Sequence, residues 1–178
     1  IATSKSIGGK GYPTFDGLNL TYETREGILK HCAPKRAHEL GDLGRRFIDG
    51  TQPSLEAQLC NLADEIGYNN HDVDDGLRSG LIALEQLEEA GIWARHVAIV
   101  RKDYPQIAGR RLIHETVRRM INSLAVDLIE ETGRNIAGTG VGTLNEVRKA
   151  GPLAAFSVAM HAEHKELKHF LRMTLYPH

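Results

Sequence analysis

Cysteine is scarce: Cys32 and Cys60 are the two in 178 residues, far apart and outside any Cys-x-x-Cys spacing. That excludes a disulfide framework and a thiolate zinc site, and points to a reducing, cytoplasmic setting. Long apolar runs are missing as well. No segment approaches the ~18 consecutive apolar residues of a membrane-spanning helix. No signal peptide opens the chain, so no membrane partner is expected. The formal net charge of -1 leaves no global field to attract nucleic acid or an anionic bilayer. Alternating Val/Ile runs, Asn-Gly hairpin signals, internal repeats and low-complexity tracts are all absent, so strands should be few.

Present instead is enough apolar content, 41% over 178 residues, for one hydrophobic core. Residues 1–19 read as irregular, broken by Gly8, Gly9, Gly11, Pro13 and Gly17. Tyr12, Phe15, Leu18 and Leu20 are expected to pin that segment to the core. The opening on Ile1 rather than Met, followed by a polar, glycine-rich stretch, points to a chain processed, trimmed or cut from something longer.

A short helix is predicted over about 22–31, with Thr21 or Asn19 as N-cap, cationic Lys30 and His31 at its end and Pro34 beyond. RAHELGDLGRRFIDG carries a weak signal for another. Ser54 is placed to cap a long helix whose apolar stripe runs through Leu55, Leu59, Leu62, Ile66, Val73, Leu77 and Leu84. Asp74-Asp75-Gly76 and Gly80 are its weak points, where a break or kink is expected. Further helices are predicted over about 92–102 and 108–132. The second has Leu112, Val117, Met120, Ile121, Leu124, Leu128 and Ile129 as its apolar face. Gly138, Gly140 and Gly142 mark a loop, Thr143 caps a short helix to Lys149, and a last helix covers about 158–175. The fold class is all-α.

The run LCNLADEIGYNNHDVDDGLRSG (59–80) carries the chemistry. It sets Asp64, Tyr68 and Asp72 at i, i+4 and i+8, on one helical face. Two carboxylates and a phenol in a row fit a metal-and-nucleotide site, although from pattern alone the plain reading is a solvated face opposite the core. Against the second stand Ala57, Cys60 and Tyr68 on that face, and the near-absence of cations among Asp64, Asp72, Asp74 and Asp75. Carboxylates clustered without partners repel, and a divalent cation or a cationic partner relieves that. One Asp does not hold a magnesium, manganese or iron ion, which takes several ligands.

Three strings lie in family order: YPTFDGLNLTYETREGILKH (12–31), PSLEAQLCNLADEIGYNNHDVDDGLRSG (53–80) and RLIHETVRRMIN (111–122). They resemble the HD-superfamily deoxynucleoside triphosphate triphosphohydrolases, and within them the bacterial deoxyguanosine-triphosphatase-like group. The resemblance covers about the first 120 residues and more loosely the rest. It implies a helical HD-type fold, here lacking its N-terminal helices: 1–19 irregular, 20–132 family-like, 133–178 a C-terminal helical part of a single domain. It implies hydrolysis of a dNTP to deoxynucleoside and tripolyphosphate, with a divalent metal (Mg, Mn or Fe) held in the pattern His … His-Asp … Asp. Asp64 matches the last Asp of that pattern. Tyr68 matches a tyrosine lying against the sugar and phosphates, and Asp72 a carboxylate accepting from the sugar 3′-hydroxyl. His71-Asp72 is in the register of the substrate-side Asp, not of the metal doublet.

The family's first His, its His-Asp doublet and its catalytic His and Glu lie N-terminal to the YPTFDGLNLT string. None of the eleven residues before Tyr12 is His, Asp or Glu. The chain is therefore read as a portion needing the N-terminal remainder of the same protein, inactive alone. The alternative is a non-catalytic binding or regulatory module on the same scaffold. An HD phosphodiesterase explains the Asp64/Tyr68/Asp72 row less well. Family habit adds a homo-oligomer and a dNTP effector as partners.

Arg111 and Arg118, seven apart on one predicted face, suit phosphate or effector contacts, or a plain charged surface. His161 and His164 are spaced i, i+3 without a third ligand. IAGTGVG lacks the strand and Gly-Lys-Ser/Thr of a phosphate loop, and His114-Glu115 does not make His-Glu-x-x-His.

Overall fold

The computed structural model describes residues 18–29 and 32–176. The expectations for Tyr12, Phe15, Lys30 and His31 lie outside them. Among the described residues there is no strand, and the protein is all-α as predicted. The elements are α1 (Tyr22–Ile28), α2 (Pro34–Ala37), a 3-10 segment (His38–Gly44), α3 (Arg45–Asp49), α4 (Leu55–Ser79), α5 (Leu84–Leu87), α6 (Gly91–Asp103), α7 (Gly109–Thr139), α8 (Leu144–Lys149) and α9 (Val158–Leu175). No described helix is long and apolar enough to cross a membrane. The chain divides into two compact units, residues 1–61 with 139–153, and residues 62–138 with 154–178.

In the first unit the helices are short and their ends chemically fixed. The Thr21 hydroxyl caps α1 by accepting from Thr24 N at 3.3 Å, which satisfies one of the orphan donors of the first turn. The ambiguous segment becomes α2, the 3-10 turn and α3, interrupted at Gly41 (φ 57°) and stopped by left-handed Gly50 (φ 66°). Gly44 is there because nothing larger fits: a Cβ would lie 1.8 Å from the Ala37 carbonyl oxygen. Ser54 caps α4 as predicted, accepting from Ala57 N at 3.3 Å. Buried Gln58 donates to Pro53 O at 3.1 Å and accepts from Leu153 N at 2.9 Å. Thr143 and Glu146 form a reciprocal capping box on α8. Glu26, 1% exposed, is paired with Arg148 at 3.1 Å. Leu18, expected on a core, is 57% exposed, and Leu20 is half-buried in its place.

The second unit has an apolar interior around Trp93, Ile92, Met120, Leu124 and Leu167, each 0% exposed. The expected break in α4 at Asp74-Asp75-Gly76 does not occur, and the helix runs on to Ser79 before Gly80 (φ 76°) ends it. Gly76 is a packing glycine: a Cβ there would meet Ile82 Cδ1 at 2.5 Å and Leu175 Cδ2 at 3.3 Å. The buried side of α4 in this unit is Ile66, Asn69, Asn70, Val73 and Gly76, with Leu62 and Leu77 half-buried on its flank. The leucine stripe thus pointed to the side of the core rather than its centre. Two asparagines hold the centre with their amide nitrogens engaged: Asn70 donates to Ile66 O at 2.8 Å and Asn69 to His164 Nε2 at 2.9 Å.

α7 buries Leu112, Thr116, Met120, Leu124, Leu128 and Thr132, one ridge at i, i+4. Ile121 and Ile129, expected on that face, are 40% and 68% exposed. Thr116 takes an interior position by bonding its hydroxyl to Leu112 O at 2.7 Å. The helix also continues seven residues beyond the predicted Thr132, through Gly133 and Gly138 to Thr139. Propensity is a weak prior, and tertiary contact overrides it: Thr132 is buried, and its hydroxyl accepts from Ala155 N at 3.4 Å. α9 spans the predicted range, with Ser157 as its cap, itself held by Asp127.

Candidate functional site

Asp64 stands nine residues before Val73, ~180° away on the helical wheel, and Val73 is 0% exposed. Asp64 therefore projects directly away from the core of the second unit, and it is exposed. Tyr68, ~40° round the wheel from it, is 71% exposed. Asp72, a further turn on, is half-buried and accepts from the Tyr176 hydroxyl at 3.3 Å. The row predicted from spacing lies on one continuous helix.

On the other flank of this row α4 and α7 enclose a cleft of about 330 Å³ lined by Gly67, His71, Asp74, His114, Val117 and Arg118. His114 Nε2 lies 3.8 Å from Asp74 Oδ1, too far for a hydrogen bond. His114 and Arg118 also line a larger open cleft of about 730 Å³ with Tyr104, Ile107, Arg110, Arg111 and Glu115. Arg111 and Arg118 are thus brought onto one cleft, as their spacing implied. Arg118 is held there by a two-pronged pair with Glu115 (2.7 and 2.9 Å). Arg118 and Arg119 both donate to that carboxyl and hold its pKa at about 2. Arg119 is tied in turn to Asp103 at 2.7 Å. Arg111, exposed, lines the same cleft.

No protein-family model matches the chain. Curated proteins do. It is 63% identical over 167 residues to a deoxyguanosinetriphosphate triphosphohydrolase-like protein of Thiobacillus denitrificans, 60% to one of Ralstonia nicotianae and 56% to one of Nitrosomonas europaea. Over 94% of its length the chain is similar to deoxyguanosinetriphosphate triphosphohydrolase-like proteins. The match covers 94% of this chain but only 43–45% of those relatives. The chain spans less than half the length of the curated relatives it matches.

The described residues do not complete a metal centre. Among them no three His, Cys, Asp or Glu side chains converge, whereas magnesium, manganese and iron take several oxygen or nitrogen donors. Asp64 brings one carboxylate. His164, considered as half of a histidine pair, is 4% exposed, bonded to Asn69 and packed 5.0 Å from the Phe156 ring. Burial holds its pKa below the ordinary 6.5. His114 makes no His-Glu-x-x-His motif, so motif spacing does not single it out. The signal that finds it is its place three residues after Arg111 and four before Arg118, on the same helical face.

Proposed function

We propose that this chain is a portion of an HD-type, metal-dependent dNTP triphosphohydrolase that releases deoxynucleoside and tripolyphosphate. The observation that carries the reading is the Asp64–Tyr68–Asp72 row: chemistry-bearing side chains on an exposed helix face, with a tyrosine 71% exposed at its centre. The relatives' name supplies the substrate class, a deoxynucleoside triphosphate. Asp64 contributes a carboxylate to a divalent-metal site whose remaining ligands come from elsewhere in the protein. Tyr68 packs its ring on the deoxyribose, where a ribose 2′-hydroxyl would crowd it, and Asp72 accepts from the 3′-hydroxyl. Arg111 and Arg118 meet phosphates of substrate or of a dNTP effector, in a homo-oligomer.

This division of labour follows from the side chains themselves. A phenol face gives apolar contact with a sugar edge, a carboxylate is the natural acceptor for a hydroxyl, and guanidinium groups fit phosphate oxygens two at a time. The test is Asp64→Ala in the full-length protein. Tripolyphosphate release from dGTP should fall below detection while the helical circular-dichroism signal is retained. Turnover at the unsubstituted rate would remove Asp64 from the metal site.

A further inference from the structure

Asp72 differs from its neighbours in the row because α9 reaches it. The close approach is made at Gly76, whose missing side chain leaves room for Ile82 and Leu175 against α4. Leu175 ends α9, and the next residue, Tyr176, is its C-cap, with its backbone N–H bonded to Arg172 O at 3.2 Å. That placement delivers the Tyr176 hydroxyl to Asp72 Oδ1 at 3.3 Å. The rest of α9 is anchored to α4 by the buried Asn69–His164 bond at 2.9 Å and by Lys168 on Glu65 at 3.0 Å. The nearby cation, Arg78, is engaged with Asp75 at 2.7 Å.

We propose that Tyr176 is a positioning residue for Asp72: its hydroxyl holds Oδ1 and leaves Oδ2 to accept the sugar 3′-hydroxyl. The inference rests on the reading of Asp72 given above. A carboxylate on a short side chain rotates about its last bond, and a fixed donor on one oxygen restricts where the other can be. The phenol is suited to this because the Asp72 charge raises its pKa above the ordinary 10, so it remains a protonated donor at neutral pH. A lysine or arginine in its place would neutralise the carboxylate and weaken it as an acceptor.

The experiment compares Tyr176→Phe and Asp72→Asn in the full-length protein, with a dNTP and with the matching 2′,3′-dideoxynucleoside triphosphate, which lacks the 3′-hydroxyl. Tyr176→Phe removes one oxygen and keeps the ring. The expected result is a rise in KM for the dNTP of about three- to tenfold, the range of one hydrogen bond, with the dideoxy substrate's kcat/KM unchanged. Asp72→Asn should erase the preference for the dNTP over its dideoxy analogue. If Asp72→Asn erases that preference and Tyr176→Phe leaves it intact, the positioning role is overturned and the reading of Asp72 stands. Equal losses on both substrates in Tyr176→Phe would also overturn it, in favour of a purely structural contact. If Asp72→Asn leaves the preference untouched, both the reading of Asp72 and the inference built on it fall.

Discussion

Glu26, Ser54 and Gln58 sit in the interior of the first unit beside Ala37, Leu43, Ala57 and Leu153, whereas Trp93, Ile92, Met120, Leu124 and Leu167 fill the second. In the first, the described interior is small and a third polar, and each of these three polar side chains has a partner. Arg148 neutralises Glu26, Gln58 bridges two backbone segments, and Ser54 caps a helix. Such an interior depends on partners being present, since a buried polar group left alone costs its full desolvation. The second unit depends on volume and area, which fail gradually as atoms are removed. Polar pairs also occur in the second unit, as in Asn69–His164, but as insertions in an apolar core.

The contrast breaks most heavily where volume is removed. Leu124→Ala in the second unit should cost about 2–5 kcal/mol, read as a drop in the urea midpoint. A loss well below that range would show the cavity collapsing and the interior looser than its burial implies. Gly44→Ala attacks the first unit instead, by placing a methyl against the Ala37 carbonyl. Overpacking of this kind costs about 1–3 kcal/mol. Amide exchange should accelerate in α2, the 3-10 segment and α3 and stay unchanged in α6 and α9. Faster exchange in all of them would mean that the two units do not respond separately.

The smallest expected effect sharpens the contrast through pH. His96 and His164 are buried in the second unit, His96 donating from Nδ1 to Ile92 O at 2.7 Å, and burial holds both below the ordinary 6.5. Above that pH neither the folded nor the unfolded chain carries these charges. Below it the unfolded chain binds protons that the folded one refuses, so stability falls as pH drops through 6.5 and beyond. The urea midpoint should therefore decline between pH 7.5 and pH 5.5, and less steeply in His164→Gln. An identical slope in that variant would remove His164 from the account.

Much of this organisation was readable from residues alone, and the exceptions have physical causes. Caps were reliable because a single side chain determines them: Thr21, Ser54 and Thr143 each bond where expected, and α9 matches its predicted range. Glycines inside α4 and α7 misled. Gly76 and Gly133 resemble helix breakers in one dimension, yet Gly76 is where two side chains pack and Gly133 follows a threonine fixed from outside its helix. Core faces were placed a few tens of degrees off because Asn69, Asn70, Thr116 and Thr132 took interior positions that polarity alone assigns to the surface. The Asp64–Tyr68–Asp72 row needed only helical spacing and was found. His114 beside Asp74 and Tyr176 beside Asp72 required the fold, since 40 and 104 residues separate the partners.

Trp93 is the chain's sole tryptophan, fully enclosed in the second unit. Its fluorescence therefore speaks for that unit and is silent about the first. Emission should be blue in the apolar surroundings of the native state and move to the red once water reaches the indole. A melting curve followed at that colour is a curve of one half of the molecule, and its departure from the far-ultraviolet curve, to which both halves contribute, measures how far the other half melts on its own terms.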